Sequence, residues 1–308
     1  MRVLVTGAAG QLGRDLVDVL HGSVPRGGRP GPKASFGAAS TGRASSCDVV
    51  GADHRSLDVS DRAQVAEAFE QLRPDVVVHC AAWTAVDACE ADPGRAFAVN
   101  AMGTRHVVEA AGRHRAHVVY VSTDYVFDGT SERPYVEWDR PNPLSVYGRS
   151  KLGGELELGA DATVVRTSWV CGYHGSNMVR TVLRLMAQPG PLRFVDDQRG
   201  SPAFTADLAV ALAEVSRARL PGVFHLTNQG ETTWFDFAAA VVEAAGGDAG
   251  RVEPITTAEL DPPRPAPRPA NSVLDNLAWR CLGAEQLPAW QDGLGRLVAA
   301  LGEGGGTS

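Results

Sequence analysis

A tyrosine and a lysine four residues apart, in the stretch VYGRSK, could carry out proton chemistry together. On a helix, Tyr147 and Lys151 would share one face, so the ammonium could act on the phenol. A plain helix-surface pair would have the same spacing. However, lysine is rare here, because only Lys33 and Lys151 among the 29 basic residues are lysines. Lysine is a compact point charge and arginine a wide planar fork, so its use at this position favours a site with tight geometry.

A hydroxyl residue, Thr123, follows the apolar run VVYVS. At the end of a strand it could hydrogen-bond the oxygen of a reacting carbonyl group. Tyr147 would then donate a proton to that oxygen, and Lys151 would lower the pKa of the phenol from its usual value of about 10. The three residues therefore predict a Thr-Tyr-Lys catalytic site.

A glycine-rich turn, VTGAAGQLG, comes directly after the first apolar run. Its glycines allow a tight turn, a close approach of the backbone to a pyrophosphate, and close packing of the following helix. The amide groups at the start of that helix would hold the phosphates. The turn predicts a dinucleotide site formed by Gly7, Gly10, Gln11, Leu12 and Gly13.

An acidic residue after the second strand should bind the adenosine ribose of such a dinucleotide. The stretch DVVGADHRSLDVSD offers Asp53 for the ribose hydroxyls, and Asp58 with Val59 for the adenine edge. Arg55 could equally accept a 2′-phosphate. The sequence therefore predicts NADPH or NADH and leaves the choice between them open.

Small residues follow the third apolar run in HCAAWTAVDACE. Ala81 and Ala82 would let the cofactor lie against the backbone, and Thr84 adds a hydroxyl. A buried strand end packed by alanines would have the same composition. Asn100, in the next helical stretch, is either a buried clamp on the backbone or an exposed polar residue.

Apolar β-branched runs alternate with amphipathic stretches and indicate the elements that carry these residues. The runs are VLV at 3–5, VV at 49–50, VVVH at 76–79, VVYVS at 118–122, TVVR at 163–166 and VFHL at 223–226. Wholly apolar strands separated by helices are typical of a parallel sheet covered on both faces. The predicted fold class is therefore α/β, a doubly wound parallel sheet of the Rossmann type.

The predicted domains follow from where this alternation stops. Residues 1–172, with 203–227 returning to the sheet, form the dinucleotide-binding domain, and residues 173–202 and 228–301 form a smaller, discontinuous substrate lobe. The Gly- and Pro-rich segment 22–47 has no apolar periodicity and predicts a flexible insertion. The segment 261–270, DPPRPAPRPA, is interpreted as a rigid extended connection rather than a polyproline ligand. Residues 302–308 are predicted to be disordered.

Composition excludes several classes of protein. A net charge of −7 argues against a nucleic-acid partner. No stretch approaches the roughly 18 apolar residues of a membrane span, and MRVLVTG passes directly into a strand pattern, so we expect a cytoplasmic protein. The five cysteines are scattered without C-x-x-C spacing and are interpreted as buried thiols. His114 and His117 have no further ligand nearby in the sequence, and no metal is predicted.

Taken together, these stretches resemble the extended short-chain dehydrogenase/reductase family, and within it the reductases of dTDP-linked 4-keto-6-deoxysugars. The resemblance covers nearly the whole chain. It is carried by TGAAGQLG, VVHCAAWTAVDACE, STDYVFDG, PYVEWDRPNPLSVYGRSKLGGE, RTSWVCG, FVDDQRGSP and RPANSVLD. It implies the catalytic and cofactor residues named above, with Tyr147 and Lys151 also contacting the cofactor. It further implies substrate contacts from Val86, Tyr125, Trp169, Arg268 and Asn271.

The implied reaction is hydride transfer from NADPH or NADH to the C4 ketone of a dTDP-4-keto-6-deoxyhexose, by an enzyme that could be a homodimer. Its diphosphate would need local positive charge, for which the candidates are Arg180, Arg184, Arg193, Arg199 and Arg268. Some relatives hold magnesium through interface glutamates, but the corresponding positions here are Asp15 and Asp207, so no metal is predicted.

Three alternatives remain beside this reaction. The chain could reduce a different dTDP-deoxysugar in an antibiotic pathway, or it could be a non-catalytic regulatory subunit of the methionine adenosyltransferase type. A dehydratase or epimerase is disfavoured, because a dehydratase of the family would carry Asp-Glu after the threonine and this chain has Asp124-Tyr125.

Overall fold

The computed structural model describes residues 1–29 and 47–304. Its strands are β1 Arg2–Thr6, β2 Asp48–Ala52, β3 Val76–His79, β4 His117–Thr123, β5 Thr163–Thr167, β6 Val170–Cys171, β7 Leu192–Val195, β8 Arg199–Gly200, β9 Ala203–Phe204, β10 Gly222–His225, β11 Thr232–Thr233 and β12 Val252–Ile255. Its α-helices are α1 Gln11–Leu20, α2 Arg62–Leu72, α3 Val86–Ala91, α4 Pro93–Phe97, α5 Gly103–His114, α6 Val146–Glu155, α7 Met178–Met186, α8 Thr205–Ala218, α9 Trp234–Ala244, α10 Leu277–Cys281 and α11 Trp290–Gly304.

Six strands form one parallel sheet in the order β2-β1-β3-β4-β5-β10. These are the six apolar runs that the sequence indicates, and the predicted α/β doubly wound parallel sheet is confirmed. The chain moves from β1 outward to β2 and then crosses back over β1 to β3. Such a switch point leaves a crevice beyond the carboxyl ends of the two inner strands, where ligands bind in open α/β sheets.

Helices cover both faces of the sheet because side chains alternate along each strand. In β1, Val3 and Val5 point to one face and pack in a cluster with residues of α1 and α8. Leu4 points to the opposite face and packs in a cluster with residues of α2 and α5, such as Phe69 and Val107. Helix α8 lies directly against α1, so residues far apart in the chain build the same layer.

A second apolar core lies within the part of the chain predicted as the substrate lobe. It contains Val179 of α7, Phe194 of β7, Phe237 of α9 and Leu294 of α11. Strands β7 and β12 pair in parallel beside it. Trp279 of α10, however, belongs to the core of the main sheet. The functional division into cofactor and substrate domains stays a prediction.

The predicted flexible insertion at 22–47 is wrong at its start. Residues 22–29 pack onto the end of the chain: Gly27 accepts a hydrogen bond from the Arg296 guanidinium, and Arg29 pairs with Asp292 at 2.6 Å. Residues 30–46 lie outside the described part of the chain. The predicted disordered tail is also wrong for residues 302–304, since α11 runs to Gly304, and residues 305–308 are not described.

The remaining compositional expectations have mixed outcomes. Cys89 and Cys171 are buried as expected, but Cys281 is exposed. In the segment 261–270, no helix or strand forms, and Ala266 is buried, as in a docked extended connection. None of the helices in the described residues has the length and apolar composition needed to cross a membrane.

Candidate active site

A cavity of about 440 Å³ opens beyond the carboxyl ends of β1, β3, β4 and β5. The chain reaches it from three directions: the glycine-rich turn, the segments that follow the strands, and α6. Its predicted lining residues are Gly7, Gly10, Gln11, Leu12, Gly13, Ala82, Thr84, Val86, Thr123, Tyr125, Tyr147, Lys151 and Trp169. Most of the site residues predicted from separate motifs therefore surround one space.

The glycine-rich turn is shaped so that side chains are excluded from it. Gly7 has φ +70°, and a Cβ atom there would lie 2.8 Å from the backbone nitrogen of Ala81. A Cβ on Gly13 would overlap the Gly7 carbonyl oxygen. Leu12 and Gly13 are buried at the first turn of α1. The turn thus leaves the helix N-terminus open toward the cavity, as binding of a pyrophosphate requires.

Gln11 has a second role that its motif does not reveal. Its side-chain amide donates to the Ser176 carbonyl oxygen at 3.0 Å and accepts from Asn177 Nδ2 at 2.9 Å. Asn177 in turn caps α7 by accepting from the backbone nitrogen of Arg180. The glycine-rich turn is therefore tied to the segment that leads into α7.

An open groove of about 620 Å³ lies beside the turn at the end of β2. Asp53 lines it, and hydrogen bonds from the backbone of Ser56 and Arg55 hold the pKa of the Asp53 carboxyl below its ordinary value. Arg14 and His174 also line this groove, whereas Arg55 does not. The arginine that lines this groove is thus Arg14 of α1, which sequence reasoning missed.

Asp58 and Val59 line neither the cavity nor the groove. Asp58 Oδ1 accepts from both the backbone nitrogen and the hydroxyl of Ser60, at 2.9 and 2.7 Å. Val59 is buried, and its carbonyl oxygen meets His106 Nδ1 at 3.0 Å. The described geometry gives these two residues structural partners, and their contact with adenine stays a prediction.

Tyr147 and Lys151 occupy the first two turns of α6, which begins after the N-cap Ser145. Both are buried, with 8% and 2% of their surface exposed, so they are not a helix-surface pair. Lys151 Nζ donates to the Val121 carbonyl oxygen at 2.7 Å and lies 4.1 Å from the centre of the Tyr120 ring. Lysine fits here because its ammonium is held between a carbonyl and an aromatic face.

The predicted lowering of the tyrosine pKa by lysine is not what the structure shows. Burial raises the pKa of Tyr147 above its ordinary value, and the hydrogen bond with Thr123 opposes this. Burial lowers the pKa of Lys151 to about 7, opposed by the charge of Glu155. Both shifts favour the neutral forms, since burial disfavours charge. Tyr147 is therefore a protonated donor in this structure.

Two buried groups hold α6 in place, and neither was predicted as a site residue. Glu155 forms a buried ion pair with Arg166 at 2.7 Å and accepts a hydrogen bond from Ser122. Asn100 lies in a π-helical turn, Ala98–Met102, and its amide contacts the Trp83 backbone and Ser150 of α6. Asn100 is thus the buried clamp, which resolves the alternative left open by the sequence.

Aromatic residues form one wall of the cavity. Trp169, with φ +46°, stacks on Trp234 with ring centres 3.5 Å apart. On the opposite side, Tyr125 meets Tyr147 edge-on at 5.9 Å. Trp234 was missed because it is 65 residues away from its partner, and no local pattern joins the two.

Arg268 lies next to the cavity rather than in its lining. It forms an ion pair with Asp87 at 2.7 Å and contacts Tyr125, a lining residue. A second arginine, Arg264, acts on the same Asp87 and Tyr125. Two guanidinium groups therefore face one carboxylate, which leaves positive charge unbalanced near the cavity.

The other predicted substrate residues have partners elsewhere. Asn271 donates to the carbonyl oxygens of Ser131 and Arg133 at 2.8 and 3.2 Å, so its amide does not face the cavity. The remaining arginines proposed for the diphosphate do not line the cavity either. Three of these have partners outside it: Arg180 contacts the Tyr173 carbonyl, Arg193 pairs with Glu253, and Arg199 pairs with Glu231.

The two aspartates that correspond to the magnesium-binding glutamates of some relatives both have partners within this chain. Asp15 is buried and accepts the hydroxyl hydrogen of Thr205, and Asp207 is bound by the Arg296 guanidinium at 2.6 Å. Within the described residues, no group of three acidic, histidine or cysteine side chains is arranged to hold a metal ion.

Comparison with known proteins gives consistent matches over the whole chain. Residues 31–302 match the RmlD substrate binding domain family. A dTDP-4-dehydrorhamnose reductase of Streptomyces griseus is 41% identical, covering 97% of this chain and 94% of the relative. A probable dTDP-4,6-dihydroxy-2-methyloxan-3-one 4-ketoreductase of Streptomyces antibioticus is 40% identical, covering 96% and 93%. The crystal structure of dTDP-4-dehydrorhamnose reductase from Bacillus anthracis in complex with NADP has a TM-score of 0.84 at 33% identity, covering 97% and 98%.

Proposed function

Because the chain belongs to the RmlD substrate binding domain family, we propose that it is an oxidoreductase that reduces the C4 ketone of dTDP-4-dehydro-6-deoxy-L-hexose with NADPH or NADH. The product would be dTDP-L-rhamnose. One observation carries the proposal: the Thr123 and Tyr147 hydroxyl groups meet in the same cavity that the glycine-rich turn opens into. A proton donor thus lies beside a place where a dinucleotide fits.

The residues present fit a nicotinamide dinucleotide. A Cβ atom at Gly7 or Gly13 would fill the cradle, so the backbone there is kept free for a pyrophosphate. The N-terminus of α1 would hold the phosphates, and Asp53 and Arg14 would bind the adenosine ribose or its 2′-phosphate. When bound, the cofactor supplies the hydride that reduces the ketone.

The side chains of the cavity provide the proton and the orientation. Tyr147 Oη is protonated and gives its proton to the C4 oxygen as negative charge develops there. Thr123 stabilises the same oxygen through its hydroxyl. Lys151 lines the same cavity, is held by the Val121 carbonyl oxygen, and supplies positive charge there in its protonated form. Trp169 and Trp234 would cover the sugar ring and exclude water.

Positive charge for the substrate diphosphate is supported by the pair Arg264 and Arg268. Arg268 is already paired with Asp87, so the second guanidinium supplies the charge that is left over. Bidentate contact with phosphate oxygens is what a guanidinium does well. The net charge of −7 for the chain does not prevent this, because the positive charge is local.

A second candidate is the reduction of a different dTDP-deoxysugar, in an antibiotic pathway. It is favoured by the Streptomyces antibioticus relative, which is as similar to this chain as the Streptomyces griseus reductase, at 40% and 41% identity. A non-catalytic regulatory subunit is disfavoured, because a buried Thr-Tyr-Lys set in a cavity is expected only where chemistry occurs.

The proposal also covers the cellular location of the protein and its oligomeric state. The protein acts in the cytoplasm, where nucleotide sugars are made, and it forms a homodimer. The dimer is supported by the exposed apolar side chains Phe97, Met102 and Leu156, which belong to neighbouring elements on one side of the sheet. Analytical ultracentrifugation tests the dimer.

The experiment that tests the function is a panel assay. The purified protein is incubated with NADPH or NADH and with several dTDP-4-keto-6-deoxysugars, and product stereochemistry is read by NMR. The proposal expects the highest kcat/KM for the L-rhamnose precursor. Preference for another sugar would establish the second candidate, and absence of turnover with every sugar would contradict an enzymatic role.

A further inference from the structure

Asp124 is a buried carboxyl group for which the reaction described above has no use. It follows Thr123 directly, lines the cavity, and has 2% of its surface exposed. Thr123 Oγ1 and Asp124 Oδ1 are 2.9 Å apart. Within the described residues, no donor meets hydrogen-bond geometry at Asp124 Oδ2. An ionised carboxylate left in this state would be costly.

The hydrogen bonds around Thr123 form a chain with two possible directions. The Thr123 hydroxyl accepts from the backbone nitrogen of Tyr125 at 3.2 Å and also contacts the Tyr147 hydroxyl. If Asp124 is ionised, Thr123 must donate its only hydrogen to Asp124. If Asp124 is protonated, it donates to Thr123, whose hydrogen is then free for Tyr147.

We propose that Asp124 is the proton reservoir of the active site and recharges Tyr147 through the Thr123 hydroxyl. The inference rests on the proposed ketone reduction. Asp124 acts through Thr123 and does not touch the substrate, so it is a positioning residue that also stores a proton.

Every proton is accounted for when Tyr147 is recharged. Tyr147 gives its phenolic proton to the C4 oxygen, which becomes a hydroxyl, and a phenolate is left. The Thr123 hydroxyl, which donates to the C4 oxygen during the reduction, then turns and passes its hydrogen to that phenolate, and Asp124 passes its proton to Thr123. Asp124 remains as a carboxylate and regains a proton from water once the product has left the cavity. No oxidant or reductant beyond the nicotinamide cofactor is needed.

The surroundings of Asp124 suit this role. Facing it are Thr123 and Tyr125 from its own segment, Tyr147 from α6, and Ser272 from the C-terminal part of the chain. No cation is among these groups. Burial raises the pKa of Asp124 to about 7, and the Ser272 and Thr123 hydroxyls oppose this. The group can therefore gain and lose a proton near neutral pH.

Lys151 also has a pKa of about 7, so a pH profile alone would not identify Asp124. Ser272 separates the two groups, because its hydroxyl, which also lies 3.4 Å from the Arg199 carbonyl oxygen, lowers the pKa of Asp124 and is not among the residues that shift Lys151. Ser272→Ala removes a contact that lowers the pKa of Asp124. Ser272→Ala should therefore raise the pH at which kcat falls on the alkaline side of its pH profile (the alkaline limb). It should leave kcat at low pH unchanged.

The test compares Asp124→Asn and Ser272→Ala with the unmodified protein, using the L-rhamnose precursor and NADPH. Asparagine keeps the shape and the contact with Thr123 but cannot release a proton. We expect Asp124→Asn to lower kcat about tenfold or more, with KM changed less than about twofold and an unchanged melting temperature. In an infrared pH titration of the protein without ligands, the difference between the unmodified protein and Asp124→Asn should contain a protonated carboxyl band that is lost near pH 7, while the band of Asp15, whose pKa is about 6, is common to both and cancels.

Wild-type kcat in Asp124→Asn, an unmoved alkaline limb in Ser272→Ala, or a difference spectrum without that band would each overturn the relay. The first of these leaves the proposed reduction intact. Absence of turnover by the unmodified protein would overturn the proposed function and the relay with it.

Discussion

Lys151 is a buried cation with little room around it, and this makes its chemistry testable by substitution. Its ammonium fits between the Val121 carbonyl oxygen, at 2.7 Å, and the Tyr120 ring. Lys151→Arg keeps the charge but places a planar guanidinium in that gap. We expect kcat to fall at least about 10²-fold and stability to fall by about 1 to 3 kcal/mol from overpacking. Steady-state kinetics and urea unfolding measure the two effects.

Lys151→Met is the matched control, because it keeps the length of the side chain and removes the charge. Burial already lowers the pKa of Lys151 to about 7, so a neutral side chain should be tolerated without loss of stability. We expect the same loss of kcat as in Lys151→Arg. Turnover near the wild-type rate in either variant would contradict a catalytic role for this lysine.

Arg264 is exposed, and its proposed contact is with the substrate diphosphate. Arg264→Gln should raise KM for the nucleotide sugar about tenfold, equivalent to about 1.4 kcal/mol, with kcat changed little. Arg193→Gln is the control, since Arg193 is also exposed but pairs with Glu253 and does not line the cavity. Equal effects of the two substitutions on KM would mean that the substrate responds only to the overall charge of the surface. That result would contradict a contact between Arg264 and the diphosphate.

Single residues also show where sequence reasoning stops. The spacing of Tyr147 and Lys151 predicts a shared helix face, because local geometry follows from local sequence. The pKa of Tyr147 was predicted in the wrong direction, because it is set by burial among residues distant in the chain. The stacking of Trp234 on Trp169 and the approach of Ser272 to Asp124 have no local signature either.

Helices α1 and α8 are joined by a buried acid. Asp15 of α1 accepts the Thr205 hydroxyl hydrogen at 2.5 Å, and its Oδ1 has no hydrogen-bond partner within the described residues. Burial raises the pKa of Asp15 from 3.8 to about 6. Because the folded protein holds this proton more tightly than the unfolded chain, the stabilisation is complete below pH 3.8 and is lost as pH rises through about 6.

Asp15→Asn should therefore be more stable than the wild type at pH 8, by up to about 3 kcal/mol, and close to it at pH 4. Urea unfolding at the two pH values measures the difference. Glu243→Gln, on the exposed side of α9, is the control and should change little. If Asp15→Asn were less stable than the wild type at pH 8, the ionised Asp15 carboxylate would stabilise the fold, which would contradict this prediction.

The elements were easier to predict than the way they pack. All six strands of the main sheet coincide with apolar β-branched runs, because a strand buried on both faces requires them. The return of residues 203–227 to the main sheet was predicted, but the contact of α8 with α1 and the pairing of β7 with β12 were not. These depend on contacts between segments tens of residues apart, which hydrophobic periodicity does not encode.

At the scale of the whole molecule, the segment after α1 connects the start of the chain to its end. Replacing residues 30–46 with a Gly/Ser linker of equal length should leave the melting temperature and kcat/KM unchanged, because the composition of this segment offers no apolar face. Extending the replacement to residues 23–46 removes the contacts with Tyr173 and Arg296. It should cost about 1 to 3 kcal/mol. Equal unfolding free energies for the two variants would contradict this assignment.

We propose that the reduction takes place in the cavity beyond the carboxyl ends of the strands. The most direct measurement supplies NADPH carrying deuterium at its transferable position, together with dTDP-4-dehydro-6-deoxy-L-hexose. We predict that NMR of the product shows deuterium at C4 of the sugar with the unmodified protein. Tyr147→Phe, which keeps the buried ring and removes the proton donor, should lower the rate at least about 10²-fold. No deuterium at C4, or an undiminished rate with Tyr147→Phe, would contradict the account.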